Sequence, residues 1–145
     1  AKIVSVQSPY NLLNRNFESS LAEIVTNEEL GLIAYSPLAG GLLTDTTSYS
    51  LVDQQRRKKR NLAFQKYCSV TKRKMNEAFR ELANSEGARL NDLALNFILS
   101  RPFTKSAIVG NTTLDQLKEN LSIIQHSISQ NLEKKINKIY KEYYA

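Results

Sequence analysis

The chain has 145 residues, of which 41% are hydrophobic, and a formal net charge of +6 at pH 7. This length suits one domain with its own core, and no stretch approaches the roughly 18 to 20 consecutive apolar residues of a membrane-spanning helix. The first residues lack the pattern of a secretory signal and the single cysteine, Cys68, excludes an intrachain disulfide, so we expect a cytoplasmic protein.

The first elements alternate between strand and helix. Residues 2–9 alternate apolar and polar side chains, which predicts a strand. Residues 18–28 carry apolar side chains at helical spacing, and residues 31–35 have the apolar centre typical of a parallel strand buried on both faces. Together they span about 35 residues, the size of a right-handed βαβ unit.

A turn that contains two glycines follows the second predicted strand. Pro37 ends the strand, while Gly40 and Gly41 permit unusual backbone angles and the close approach of a ligand. This stretch is equally compatible with an ordinary turn and with a binding loop.

Residues 44–61 are polar and predict a long loop with five consecutive basic residues at positions 56–60. Such a run can hold phosphate, either in nucleic acid or in a small ligand. No zinc-ligand spacing, RNA-binding aromatic signature or helix-turn-helix pattern accompanies the charge. We therefore favour a solvated surface and predict no nucleic-acid partner.

Two helices and a third strand come next. The first helix covers residues 70–85, and the second has Asn91 as its expected N-cap and ends near Arg101. Residues 105–109 have an apolar centre and predict a strand that Gly110 ends.

Two more helices complete the chain. One begins near Leu114, with residues 111–113 as its cap, and its free N–H groups suit a phosphate group. The other begins at Ser129 or Gln130 and carries an apolar stripe opposite four lysines, as expected of a covering helix.

Three parallel strands alone would leave two sheet edges unpaired. Their order with the helices fits the later part of a (β/α)₈ barrel, which needs about 250 residues and has its active site at the C-terminal ends of the strands. We predict an α/β fold over residues 1–145, namely a partial barrel made of about the last three β/α units and a covering helix.

Five linked segments follow one another along the chain, namely VQSPYNLLNR, GLIAYSPLAGGLLT, RNLAFQKYC, ALNFILSRPF and AIVGNTTLDQLKEN. Their order and spacing resemble those of the C-terminal half of the aldo-keto reductases, in the branch that contains the voltage-gated potassium channel beta subunits. The resemblance implies a barrel that binds a nicotinamide cofactor in extended form and transfers hydride to or from small-molecule carbonyls and alcohols.

The resemblance also implies a set of cofactor-binding residues. Gln7 matches a glutamine that bonds the nicotinamide carboxamide, and Tyr35 matches an aromatic residue that stacks on the nicotinamide ring; considered alone, they suit a solvated glutamine and a core tyrosine. The residues matched to the pyrophosphate loop are Ser36, Pro37, Leu38, Ala39 and Gly40. Those matched to the adenosine end are Gly110, Thr112, Gln116, Glu119 and Asn120.

The sequence departs from the family pattern at two cationic positions. Residues 45–47 read Asp-Thr-Thr where the branch usually has Gly-Lys-Tyr, which leaves Arg60 as the expected loop cation. Gly110 and Gln116 stand where many members carry Lys and Arg for a 2′-phosphate, as they often do in this branch. The expected cofactor is NADP, with NAD as the less favoured choice.

The family's catalytic Asp, Tyr, Lys and His lie on its first four strands, which this chain lacks, so no catalytic or metal-binding residue is assigned. His126 matches no catalytic position and Cys68 suits a packed thiol. The chain alone is expected to be inactive and to need an N-terminal half-barrel or self-association. The alternative is an inactive regulatory or interaction module like a channel beta subunit.

Overall fold

The computed structural model describes residues 2–45, 67, 69–111, 113–123 and 128–144. Within these residues the chain forms three strands and five α-helices. They are β1 (Ser5–Pro9), α1 (Leu21–Asn27), β2 (Gly31–Tyr35), α2 (Val70–Ser85), α3 (Leu90–Leu99), β3 (Thr104–Ile108), α4 (Leu114–Ser122) and α5 (Gln130–Tyr144). The basic run at positions 56–60, Cys68 and His126 lie outside the described residues.

The three strands form one parallel sheet in the order β1-β2-β3. This arrangement confirms the predicted α/β class and the predicted strand order. Pro9 is in register with Tyr35, and Tyr35 with Ile108, so the C-terminal ends of all three strands meet at one edge. The register shifts once between β2 and β3, between Leu32 and Ile33.

The two faces of the sheet have different surroundings. Leu32 and Ala34 are fully buried in one core cluster with residues of the helices. Because side chains alternate along a strand, Tyr35 lies on the opposite face, together with its register partner Ile108. These two side chains are 36% and 46% exposed. One face of the sheet therefore packs against helices, and the other is open near its C-terminal edge.

Helices α2 and α5 each bury one apolar face, as the sequence predicted for α5. Met75 and Phe79 of α2 are fully buried, and Ser69 caps the helix by accepting a hydrogen bond from Lys72 N at 3.2 Å. Ile136 of α5 is fully buried, while the lysines of that helix lie on the exposed side. No described helix is both long enough and apolar enough to cross a membrane.

The start of α3 differs from its prediction. The helix begins at Leu90, and Asn91, the expected N-cap, is buried in the first turn. Arg89 occupies the N-cap position without a side-chain cap. The cap comes instead from the carboxylate of Asp45, which accepts a hydrogen bond from Leu90 N at 2.7 Å.

The predicted helix over residues 18–28 is shorter than expected. A 3-10 helix (Asn16–Ser19) precedes α1, and the chain breaks its helical geometry at Ser20. Val25 is buried, but Leu21 and Ile24 are 39% and 53% exposed. Helical spacing correctly predicted this helix, but two of its three apolar side chains lie outside the core.

Candidate functional site

A cleft of about 510 Å³ opens at the C-terminal ends of β2 and β3. Its volume lies in the range of roughly 300 to 1,000 Å³ that is typical of ligand pockets. One wall is the segment after β2, residues 36–45, which we call the β2 loop. The other wall is the exit of β3 with the first turns of α4. Ligands of parallel α/β sheets bind at this edge of the strands.

Nine of the residues implied by the resemblance line this cleft. They are Tyr35, Ser36, Pro37, Leu38, Gly40, Gly110, Gln116, Glu119 and Asn120. The residues between Tyr35 and Gly40 and those between Gly110 and Asn120 are more than 60 positions apart in the sequence, and the parallel pairing of β2 with β3 brings them together.

Of the other four implied residues, two are described, and neither is among the residues that line the cleft. Gln7 is exposed on β1, in register with Ile33. Ala39 is fully buried in the core cluster, so only its backbone could contact a ligand. Arg60 and Thr112 lie outside the described residues.

The cleft also has lining residues that were not assigned to the site from the sequence. They are Gly41, Thr44, Ile108, Val109 and Asn111. Thr44 ends the GLIAYSPLAGGLLT segment, and Asn111 was predicted as part of a helix cap. Their position at or beyond the C-terminal ends of the two strands was the available signal.

The β2 loop has a strained backbone. Ser36 and Ala39 adopt left-handed φ angles of 53° and 49°, and Gly40 and Gly41 adopt 69° and 96°. For a residue other than glycine this conformation costs about 1 to 2 kcal/mol. Such strain persists only where the surrounding structure holds the backbone in place, and it is common at ligand-binding sites.

Asn11 holds the start of the β2 loop. Its fully buried side chain donates hydrogen bonds to the Ser36 carbonyl at 2.9 Å and to the Tyr67 hydroxyl at 3.0 Å. Its own side-chain oxygen accepts from Leu13 N at 3.0 Å. The sequence analysis did not single out this residue, although an asparagine between apolar residues just after a strand was a signal.

Helix α2 holds the other end of the β2 loop. Asn76 donates to the Leu42 carbonyl at 3.1 Å, and Arg80 donates to the Thr44 carbonyl at 3.0 Å. Three carbonyls of the loop are thus bonded by side chains from outside it, namely those of Ser36, Leu42 and Thr44. These bonds fix the wall of the cleft.

The wall formed by α4 carries polar side chains. Thr113 caps the helix by accepting from Gln116 N at 3.2 Å, as the sequence predicted. Asn120 donates to the side-chain oxygen of Asn111 at 2.6 Å, which orients both amides beside the cleft. This wall therefore offers amide groups suited to the edge of a heterocyclic base.

Glu119 is the charged side chain among the described residues that line the cleft. Its carboxylate lies 3.8 Å from a guanidinium nitrogen of Arg89. A hydrogen bond to Asp92 raises the pKa of Arg89, and the nearby carboxylates add to this effect. Arg89 therefore stays cationic and partly balances the charge of Glu119.

Comparison with known proteins places these features in context. A family model described as Aldo/keto reductase family matches residues 1–141. The chain is 33% identical over 142 residues to Protein tas of Escherichia coli (strain K12), covering 98% of this chain and 41% of that protein.

Two further relatives have names that describe a role. The chain is 30% identical over 128 residues to an L-glyceraldehyde 3-phosphate reductase of Escherichia coli O157:H7, covering 83% of this chain and 36% of the relative. It is 32% identical over 123 residues to a probable voltage-gated potassium channel subunit beta of Oryza sativa subsp. japonica, and this match covers 81% of this chain and 37% of the relative. The chain thus spans well under half the length of these three relatives.

Proposed function

Since the chain belongs to the aldo/keto reductase family, a family of oxidoreductases, we propose that it is the NADP-binding C-terminal half of a reductase for aldehydes or ketones. When bound in the complete protein, the reduced cofactor would supply a hydride to the carbonyl carbon, and an acid of the complete protein would supply the proton that completes the alcohol. The observation that carries this proposal is the cleft at the ends of β2 and β3, which gathers nine of the residues matched to the family's cofactor site.

The side chains and backbone of the cleft fit an extended dinucleotide. Tyr35 offers a partly exposed aromatic ring, which stacks favourably on a flat heterocycle. Ser36 and Gly40 contribute a hydroxyl and a backbone without Cβ to the lining of the cleft, where both suit a pyrophosphate. Gln116 and Asn120 supply amides for an adenine edge.

Gln7 has a separate role in this proposal. The register pairs Gln7 with Ile33, so Gln7 lies on the same face of the sheet as Tyr35. An exposed amide on this face can bond the carboxamide of a nicotinamide that stacks on Tyr35. Gln7 therefore serves the nicotinamide end of the site from β1.

We propose NADP as the cofactor, with NAD as the less favoured choice, because the branch that this chain resembles often has the same residues as Gly110 and Gln116 at the adenosine end. The described cleft contributes a carboxylate, Glu119, which lies 3.8 Å from the guanidinium of Arg89. Titration with both dinucleotides decides between them.

We propose that the chain alone is inactive because carbonyl reduction needs an acid to protonate the developing alkoxide. The family's acid belongs to strands that precede those matched here. The open sheet face and the unpaired outer edges of β1 and β3 in the described structure favour a partial barrel of three β/α units. Completion requires an N-terminal half-barrel or a second copy of this chain.

The second candidate function is a regulatory module that binds the cofactor without catalysing reduction. The similarity to the probable channel subunit of Oryza sativa favours it. Both functions use the same cleft, so they differ only in whether the completed protein turns over a carbonyl.

A binding assay tests the shared part of the proposal. The 145-residue chain is titrated with NADPH and with NADH, and nicotinamide fluorescence is followed. We expect saturable binding with NADPH favoured. Failure to bind either dinucleotide, both by the chain alone and by the chain fused behind the part of Protein tas that lies outside the matched region, would contradict the proposed site.

An activity assay separates the two candidates. The chain is fused behind the part of Protein tas that lies outside the matched region, and loss of nicotinamide absorbance is followed with an aldehyde present. Turnover by the fusion and none by the chain alone supports the reductase. Cofactor binding without turnover by the fusion supports the regulatory module.

A further inference from the structure

Asp45 occupies one of the positions at which the sequence departs from its family's pattern, and the structure gives it two partners. One carboxylate oxygen lies 3.0 Å from a guanidinium nitrogen of Arg80 on α2. The other accepts the hydrogen bond from Leu90 N, the first residue of α3, at 2.7 Å. One side chain thus joins the end of the β2 loop to two helices.

Arg80 completes the connection from the opposite side. Its second terminal nitrogen donates to the Thr44 carbonyl at 3.0 Å, while the first contacts Asp45. The guanidinium therefore bonds two successive residues of the β2 loop. Thr44 itself lines the cleft, so these bonds act directly on the wall of the candidate site.

The geometry of this contact matters more than its charge. The side chains of Arg80 and Asp45 are 37% and 36% exposed, and ion pairs of this exposure contribute little on their own. Three directed hydrogen bonds nevertheless converge on two adjacent residues. The bond to Leu90 N also places a carboxylate at a helix N-terminus that has no side-chain cap from Arg89, which is a favourable position.

We propose that Asp45 and Arg80 are positioning residues that hold the β2 loop in its binding conformation. The loop stores strain at Ser36 and Ala39, and a strained backbone keeps its shape only when its ends are fixed. Asn11 fixes the start, and the Asp45–Arg80 contact fixes the end. This inference rests on the proposed dinucleotide site, because the bound state is what the fixed loop favours.

The first test measures dinucleotide affinity in the 145-residue chain. Asp45→Asn leaves one side-chain oxygen where two separate oxygens now accept from Arg80 and from Leu90 N, and Arg80→Gln removes the fork of donors. Each change is expected to raise the Kd for NADPH about three- to tenfold, since one or two charge-assisted bonds that order the loop are lost. The Kd of the double variant is expected to be no higher than that of the weaker-binding single variant, because both substitutions remove one shared contact.

Arg73→Gln is the matched control. It removes the same charge from the same helix at an exposed position. We expect its Kd to equal that of the parent. An equal rise in Kd for Arg73→Gln and Arg80→Gln would show a general charge effect and would overturn the positioning role.

The second test measures amide hydrogen exchange at Leu90, which needs no ligand. Asp45→Ala removes the acceptor of that N–H group, so we expect exchange at Leu90 to accelerate at least about tenfold. Amides in the middle of α2 should be unchanged. Unchanged exchange at Leu90 would overturn the contact itself.

The two tests separate this inference from the proposed function. A parent chain that binds neither dinucleotide, both alone and in the fusion with Protein tas, overturns the proposed site, and with it the positioning role, whatever the exchange data show. A parent chain that binds, together with variants whose Kd is unchanged, overturns the positioning role alone.

Discussion

Replacement of Asn11 by alanine is expected to destabilise the protein more than any other single asparagine replacement near β1. The Asn11 side chain is fully buried and makes three hydrogen bonds. Alanine leaves the Leu13 N–H group and the Ser36 carbonyl without these partners, whereas the Tyr67 hydroxyl can rotate.

Each buried polar group left unpaired costs about 1 to 3 kcal/mol. For two such groups, we expect the free energy of unfolding to fall by about 2 to 6 kcal/mol. Urea denaturation followed by circular dichroism measures this loss. With a denaturant slope of about 2 kcal/mol per molar urea, the midpoint should fall by about 1 to 3 M.

Asn14→Ala is the control for this experiment. Asn14 lies in the same turn, but its side-chain oxygen accepts a single longer bond, from Asn16 N at 3.3 Å in an exposed setting. We expect a loss of under about 1 kcal/mol. If Asn11→Ala costs no more than Asn14→Ala, the Asn11 bonds do not stabilise the β2 loop and the reasoning is refuted.

Three further predictions concern the sheet and the core. Gly31→Ala should destabilise the chain by about 1 to 2 kcal/mol in urea denaturation, because the added Cβ would lie 2.3 Å from Lys105 Cγ. Gly110→Ala is the control and should cost under about 0.5 kcal/mol, because the space around Gly110 is open. Equal losses of stability for the two variants would contradict the steric argument. Burial, and next its hydrogen bond to Glu18, raises the pKa of Tyr10. Above about pH 10 the folded state keeps the Tyr10 proton that the unfolded state loses, so the contribution of Tyr10 to the free energy of unfolding should be fully present below about pH 10 and should fall above it. Tyr10→Phe should flatten this fall by up to about 1.4 kcal/mol per pH unit. Identical dependences of stability on pH in the parent and in the variant would contradict this. Finally, the open strand edges should make the chain self-associate or fold marginally. A chain that is a monomer by light scattering and that also unfolds in a sharp thermal transition would contradict this.

The helices and strands were predictable because their signals are local. The apolar spacing in Val70–Ser85 and the short apolar centre of Gly31–Tyr35 both depend on a few neighbouring residues. The parallel strand order followed from consecutive β/α units, whose strands are neighbours in about two-thirds of cases. The start of α3 was wrong because its cap, Asp45, comes from 45 positions earlier in the chain.

The candidate site was predictable only in part, for a related reason. Tyr35 and Gln116 were assigned from a motif, and the structure places them on facing walls of one cleft. The residues that hold the β2 loop act through tertiary contacts, so Asn76 and Arg80 look like ordinary polar positions of a helix in the sequence. Ala39 was assigned to the site from the motif, but its side chain is buried in the core, because a motif does not reveal which side chains face the core.

The most direct test of the proposed cofactor site is the affinity of Tyr35→Ala for NADPH in about 0.15 M salt, where surface charge effects are screened. Tyr35 lines the cleft. Tyr144→Ala is the matched control, because Tyr144 has a comparable exposure but lies near the end of α5, where its hydroxyl donates a hydrogen bond to Asn16. Loss of a stacked ring costs about 1 to 3 kcal/mol, by analogy with bases stacked on aromatic side chains, so Tyr35→Ala should raise the Kd about five- to 150-fold. Tyr144→Ala should leave it unchanged. A Tyr35→Ala chain that binds NADPH as tightly as the parent would contradict the proposed cofactor site.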